Sequence, residues 1–215
     1  MNYQEHIEKS LENALKQKSN ITDEILLMQG MSGRYTRHFY NNICAMEDAR
    51  YLEIGTWKGS SICAAMCNNK MKCVCIDNWT QFGNVKDEFI HNFNKFKGEN
   101  DATFIEQDCW TINAKELGMF NIYMYDAAHT EESQYKAINH YLDCLDDKFI
   151  YLVDDWNHHP TRIGTLKAIE DNDLETCWKK EIYTNCNPGV QGGGRFNGWH
   201  NGLAIFILKK NVSVD

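Results

Sequence analysis

The sequence predicts a doubly wound α/β domain, in which helices cover both faces of a largely parallel sheet. Two observations carry the expectation. From residue 50 onward short apolar runs alternate with amphipathic stretches, and near the C-terminus two strand-like runs follow one another with no helical period between them. The alternation calls for right-handed crossovers, which place helices on both faces of a parallel sheet. The final pair must run antiparallel or separate widely, and reads as a hairpin added at the sheet edge.

Residues 2–18 set Ile7, Leu11, Ala14 and Leu15 near helical spacing among Glu and Lys, the pattern of an amphipathic packing helix. A short helix over 22–28 follows, with Thr22 or Asp23 as N-cap, until Gly30 and Gly33 break the pattern; a third helix covers Arg34 to Met46. The strand runs are RYLEI (50–54), KCVCID (72–77), TFIEQD (103–108), NIYMYD (121–126) and KFIYLVDD (148–155). Helical stretches lie near 59–69, 84–97, 112–117, 131–145 and 160–172. Residues 177–186 and 203–210 form the closing strands, and the NPGVQGGGRFNGWHNG segment between them reads either as a mobile lid or as a disordered surface loop.

The 215 residues suffice for one sizeable core, so a single domain over 1–215 is expected, with a helical N-terminal extension (1–46) and a core at 50–210. Lys and Arg total 22 against 30 Asp and Glu, a net charge of −8 without a basic block, which speaks against nucleic acid or an anionic membrane as partner. No apolar run approaches the roughly 20 residues of a membrane span, and no apolar stretch follows a basic start, so a cytoplasmic protein is expected. A homo-oligomer is compatible with the sequence. The nine cysteines include no paired C-x-x-C and are expected to be small buried thiols, with zinc the minority reading.

The first strand ends in Glu53-Ile54-Gly55-Thr56-Trp57-Lys58-Gly59-Ser60-Ser61, a glycine-bearing turn that opens a helix. Gly55 lets the backbone turn tightly beneath a ligand, and Gly59 permits close helix approach. Asp77 closes the second strand, where a carboxylate can accept both hydroxyls of a ribose; Asp108 closes the third. Each acid alone is as well explained as a cap, but three strand ends converging on one rim define a small-molecule crevice. A nicotinamide dinucleotide would need G-x-G-x-x-G against its pyrophosphate, and position 57 is Trp. A nucleoside with a zwitterionic amino-acid tail tolerates Trp57 and Glu53.

With YLEIGTWKGSS, VCIDNW, the DAAH of the fourth strand, the VDD of the fifth and the final hairpin, the chain resembles the class I S-adenosylmethionine-dependent methyltransferases from about Met31 to Lys210. Within them it is similar to the macrocin and catechol O-methyltransferase group. The resemblance implies a seven-stranded sheet with a reversed last strand. It also implies a cofactor site in which Glu53, Gly55, Thr56, Trp57, Gly59 and Ser60 line the methionine and ribose side, Asp77 with Asn78 takes the ribose, and Asp108, Cys109 and Trp110 flank adenine. Met31 and Ser32 match the segment that closes over the cofactor in the catechol type, and Asp126 borders the cofactor from the fourth strand.

Asp126, Asp154 and Asp155 end the fourth and fifth strands. Two like charges about 4 Å apart repel by roughly 4 kcal/mol at an effective dielectric of 20, so such a cluster implies a bound proton, a cation or a neighbouring base. Oxygen ligands favour Mg²⁺ or Ca²⁺. The catechol type has Asp followed by an Asp-Asn pair as its Mg²⁺ ligands, and here the pair is Asp154-Asp155. His129 stands where that type places a Lys as base, and an imidazole with an ordinary pKa of about 6.5 suits the task; the alternative is that it caps or orients Asp126. His158, His159 and Asn157 rank lower, and Trp79, Phe82, Trp156 and Trp199 either wall an acceptor pocket or pack loops. The expected activity is O-methylation of a small-molecule hydroxyl, on a sugar or a phenol. Another chemistry on the same scaffold, such as hydroxylation, or a non-catalytic nucleoside-binding protein are the alternatives.

Overall fold

A computed structural model of the chain describes residues 2–83, 85–184 and 198–211. Three helices lead: α1 (Tyr3–Leu15), α2 (Asp23–Leu27) and α3 (Arg34–Ile43). Asn2 caps α1 by accepting from the Gln4 backbone N–H at 3.1 Å, satisfying one of the donors a helix start leaves open. Then β1 (Arg50–Ile54), α4 (Ser60–Met66), β2 (Lys72–Asp77), α5 (Lys86–Phe96), β3 (Asp101–Glu106), β4 (Phe120–Tyr125), α6 (Glu131–Tyr141), β5 (Leu145–Asp154), α7 (His159–Asp171), β6 (Leu174–Ile182) and β7 (Leu203–Lys210) follow.

The seven strands form one sheet in the order β3-β2-β1-β4-β5-β7-β6. The first five are parallel; β7 runs antiparallel between β5 and β6, as the hairpin expectation requires. On one face Phe39 and Ile43 of α3, Ile62 and Cys63 of α4 and Phe89 of α5 pack on the sheet, and on the other Ile138 and Tyr141 of α6 and Ile169 of α7. The central strands are buried on both faces, which is why their sequences read as continuous apolar runs. No helix among the described residues is long and apolar enough to cross a membrane.

Three expectations are corrected. Strand β3 lies two residues earlier than TFIEQD, so Asp108 sits beyond the strand and caps a single 3-10 turn at Cys109–Thr111, accepting from the Trp110 N–H at 3.0 Å. The helix expected near 112–117 is only a second such turn at Ala114–Glu116, because Asp108, Gln107 and Asn113 spend their side chains on local hydrogen bonds that compete with a longer helix. The first closing strand begins at Leu174 and ends at Ile182. The expected lid falls in residues 185–197, outside the described residues.

Six cysteines are buried free thiols, Cys109 is half-buried and Cys177 exposed. Burial pushes the Cys73 thiol up to about 12, the behaviour of packing groups rather than of reactive thiolates.

Candidate active site

The C-terminal ends of the parallel strands open into a cavity of ≈ 490 Å³. Its floor is the turn after β1. Gly55 has φ +88°, and a Cβ there would stand 2.1 Å from the backbone oxygen of Asp126, so glycine alone lets the ends of β1 and β4 approach so closely. Asp77 closes this turn. Its Oδ2 accepts from the Thr56 and Trp57 N–H groups, both at 2.8 Å, and from Thr56 Oγ1 at 3.3 Å; Oδ1 accepts from the Trp79 N–H at 2.7 Å. A carboxylate offers about four lone-pair sites, so Oδ2 is occupied by the protein itself and Oδ1 retains room for one further hydroxyl, where the sequence suggested both ribose hydroxyls.

Glu53 lies fully buried under the same turn and accepts from Ser61 Oγ at 2.6 Å and Tyr51 Oη at 2.7 Å. Burial pushes its carboxyl up to about 8, against those hydrogen bonds. It therefore supports the turn from below instead of lining the cavity. Because its folded pKa exceeds the unfolded value near 4.5, its contribution to stability is complete below that value and is lost as pH rises towards 8. Thermal midpoints are expected to fall between pH 5 and 8, and Glu53→Gln should flatten that decline; an equal slope in the variant would show that other groups set it.

Of the residues expected at the cofactor, Met31, Ser32, Thr56, Trp57, Ser60, Asn78, Asp108, Cys109 and Trp110 border the cavity; Gly59 does not, its αL backbone serving instead to seat the start of α4 against Phe89.

The second constellation is assembled differently from the expectation. The three ligating atoms that converge within 4.8 Å belong to Asp126, His129 and Asp155, with Asp154 outside the set. Alternation along β5 sets Asp154 on the face that carries Ile150 and Leu152, where it is 3 % exposed; it still borders the cavity beside Asp126 and Asp155, and its charge bears on the Tyr40 phenol. Asp155 follows the strand in a left-handed conformation (φ 53°), which redirects its carboxylate to the rim. His129 Nε2 lies 2.9 Å from Asp155 Oδ2 and 3.6 Å from Asp126 Oδ1.

Burial alone would lower the His129 pKa, but its two carboxylate neighbours prevail and push it up to about 10. The imidazole is therefore a cation at neutral pH, not the free base its ordinary pKa suggested. Burial pushes Asp126 up to about 6 against the pull of His129. For Asp155 the pull of His129, aided by Asn201 and His200, outweighs burial and brings the carboxyl down to about 2. Burial and its acidic neighbours raise Asp154 well above the carboxylate range.

Of the lesser candidates, His158 reaches the cavity with its ring 6.0 Å from that of His129. Asn157 is committed to the fold: its amide donates to Thr184 O and Oγ1 and accepts from the Thr184 N–H. Trp156 is wholly buried against Phe206, and Trp199 packs on Tyr35 and Phe39, so neither walls the cavity; Trp79 and the exposed Phe82 do. His200, Asn201 and Tyr125 also line it and were not foreseen; the first two join the rim only through the antiparallel insertion of β7. Among the described residues, five of the eight non-glycine residues with positive φ (Trp57, Trp79, Phe82, Asp155 and His200) border this cavity, and such backbone strain gathers where a site over-determines its shape.

Residues 52–156 match a family model described as a methyltransferase domain. No curated protein matches the chain in sequence. Among solved structures it is similar to the O-methyltransferase from Bacillus cereus in complex with SAH, at TM-score 0.55 and 12% identity over 94% of this chain and 91% of that one. It is similar to a candidate RNA methyltransferase from Pyrococcus horikoshii, at TM-score 0.56 and 13% identity over 96% and 98%. It also matches SMU.776, a candidate methyltransferase complexed with SAH, at TM-score 0.55 and 13% identity over 82% of this chain, while spanning 48% of that one, about half its length. Residues 52–156 thus resemble a methyltransferase domain, and the chain as a whole has the fold of solved methyltransferases. The finer grouping with the macrocin and catechol enzymes is loosely supported, by the O-methyltransferase. One of these neighbours is described as an RNA methyltransferase, so the expectation against nucleic acid rests on charge alone.

Proposed function

We propose that the protein is an S-adenosylmethionine-dependent O-methyltransferase acting on a small-molecule hydroxyl, of a sugar or a phenol. The observation that carries the reading is the cluster of Asp126, His129 and Asp155 at the rim of a cavity whose floor is the turn closed by Asp77. The residues present suit the cofactor: the Asp77 Oδ1 for a ribose hydroxyl, Cys109 and Trp110 for an adenine edge and face, and the Ser32 and Ser60 hydroxyls for an amino-acid tail. When bound, S-adenosylmethionine supplies an electrophilic methyl group.

The protein's part is to place and deprotonate the acceptor oxygen. The acceptor hydroxyl sits against Asp126 and His129; Asp126, with its pKa near 6, takes the proton, and the His129 imidazolium stabilises the oxygen anion as it forms. Asp155 holds that imidazolium charged and oriented. A divalent cation is the second reading, favoured by the convergence of the three ligating atoms. Its ligands would be Asp126, His129 and Asp155, a set with one nitrogen that departs from the all-oxygen site expected for Mg²⁺ or Ca²⁺, and the cation would have to displace the imidazolium proton.

Calorimetric titration with S-adenosylmethionine, SAH and NAD tests the cofactor, and methyl transfer to sugars, phenols and RNA tests the acceptor. Binding of the first two with turnover of a small hydroxyl compound is expected; binding of NAD alone, or turnover of RNA alone, would overturn the reading. Turnover abolished by chelator and restored by one divalent ion would move the mechanism to the second reading.

A further inference from the structure

Arg37 is a buried cation with no acid paired to it among the described residues. It is 4 % exposed on α3, and burial, with the neighbouring cation Arg34 as the one charged group that bears on it among the described residues, pushes its pKa down to about 10. Its guanidinium donates from Nη1 to Ile25 O at 2.6 Å and Met28 O at 2.8 Å, and from Nε to Ser32 Oγ at 3.0 Å. Ser32 Oγ in turn lies 2.9 Å from Ser60 Oγ, and both serines border the cavity. The chain approaches closely here: a Cβ on Gly30 would stand 2.1 Å from Ser60 Oγ and 3.1 Å from Arg37 Nη2.

Donor counting gives this row a direction. Arginine has five N–H donors and no acceptor, so neither serine can direct its hydrogen to Arg37. Two hydroxyl hydrogens are available and the contact between the serines uses one. Whichever serine donates to the other, the remaining hydrogen has no acceptor in the row, and no other acceptor of either hydroxyl occurs among the described residues. The row therefore presents a donor to the cavity, polarised by a full positive charge behind it, which is the arrangement that recognises an anion.

We propose that Arg37, acting through Ser32 and Ser60, anchors the carboxylate of the cofactor's amino-acid tail, and that Arg37 is thereby a positioning residue for the methyl donor. The proposal rests on the cofactor reading above. The same guanidinium ties the α2 end to Ser32, so the segment over the cavity and the anion anchor are set by one side chain.

The test compares SAH with 5′-methylthioadenosine, which keeps the nucleoside and the sulfur and lacks the amino-acid tail, by calorimetry on the intact protein. In Ser32→Ala the affinity for SAH should fall about 10- to 100-fold, the range for a lost hydrogen bond to a charged group, with that for methylthioadenosine unchanged. Arg37→Gln should show the same selectivity where it folds; because Arg37 also holds two backbone carbonyls, Ser32→Ala is the decisive variant. An equal loss for both ligands, or an unchanged SAH affinity in Ser32→Ala, would overturn the anchor while leaving the cofactor reading intact. Failure of the unaltered protein to bind SAH would overturn both.

Discussion

His129→Ala is expected to lower methyl transfer at neutral pH by about 10²- to 10³-fold, the span associated with removing one stabiliser of a developing oxygen anion, while SAH binds within a few-fold of the unaltered protein. Removing the imidazolium leaves Asp126 and Asp155 facing one another without the cation that offsets their repulsion. Without the pull of His129, Asp126 stays protonated over more of the neutral range, so less of it is present as the carboxylate that accepts the substrate's proton. His129→Lys tests the charge itself, since a retained cation should recover part of the rate. In the unaltered enzyme the rate should rise as Asp126 loses its proton near pH 6 and fall as His129 loses its own near pH 10. A pH profile that keeps its lower limb in Asp126→Asn would refute this assignment of the base.

Asp77→Ala should be the most damaging change at the cofactor end, and it should act on the fold as well as on binding. Three backbone N–H groups, of Thr56, Trp57 and Trp79, donate to this carboxylate. Orphaning a buried donor costs about 1–3 kcal/mol, so a loss of several kcal/mol in stability is expected. For a domain of this size each kcal/mol moves the melting midpoint by about 2–4 °C. Asp77→Asn is the sharper probe: both oxygens accept from backbone donors, and an amide must turn its NH₂ towards one of them. If Asp77 only touched ribose, the asparagine variant would melt as the unaltered protein does and lose cofactor affinity alone.

The parts of the fold that were legible in the sequence are those where burial on both faces writes a continuous apolar run. RYLEI and KCVCID coincide with β1 and β2 residue for residue. Edge strand β3 has one exposed flank and a mixed pattern, DATFIE, which displaced its reading by two residues. The acids of the site were visible because they stand at strand ends, yet their roles depended on side-chain direction. Asp154 and Asp155 are neighbours in sequence and both border the cavity, yet only Asp155, redirected by its left-handed backbone, converges with Asp126 and His129. Trp156 and Trp199 were read as loop aromatics because a tryptophan's burial depends on tertiary neighbours. Arg37, His200 and Asn201 carry no local motif; long-range packing brings them to the site.

The place of β7 has a consequence for synthesis. The edge of β5 from Phe149 to Val153, five apolar residues, is covered by Phe206, Ile207, Leu208 and their neighbours, which are made only after β5, α7 and β6. Until they emerge, a nascent or prematurely terminated chain displays an unpaired apolar strand of the kind that templates aggregation. A chain stopped before residue 203 should therefore precipitate or require a chaperone, whereas one stopped after residue 210 should remain dispersed.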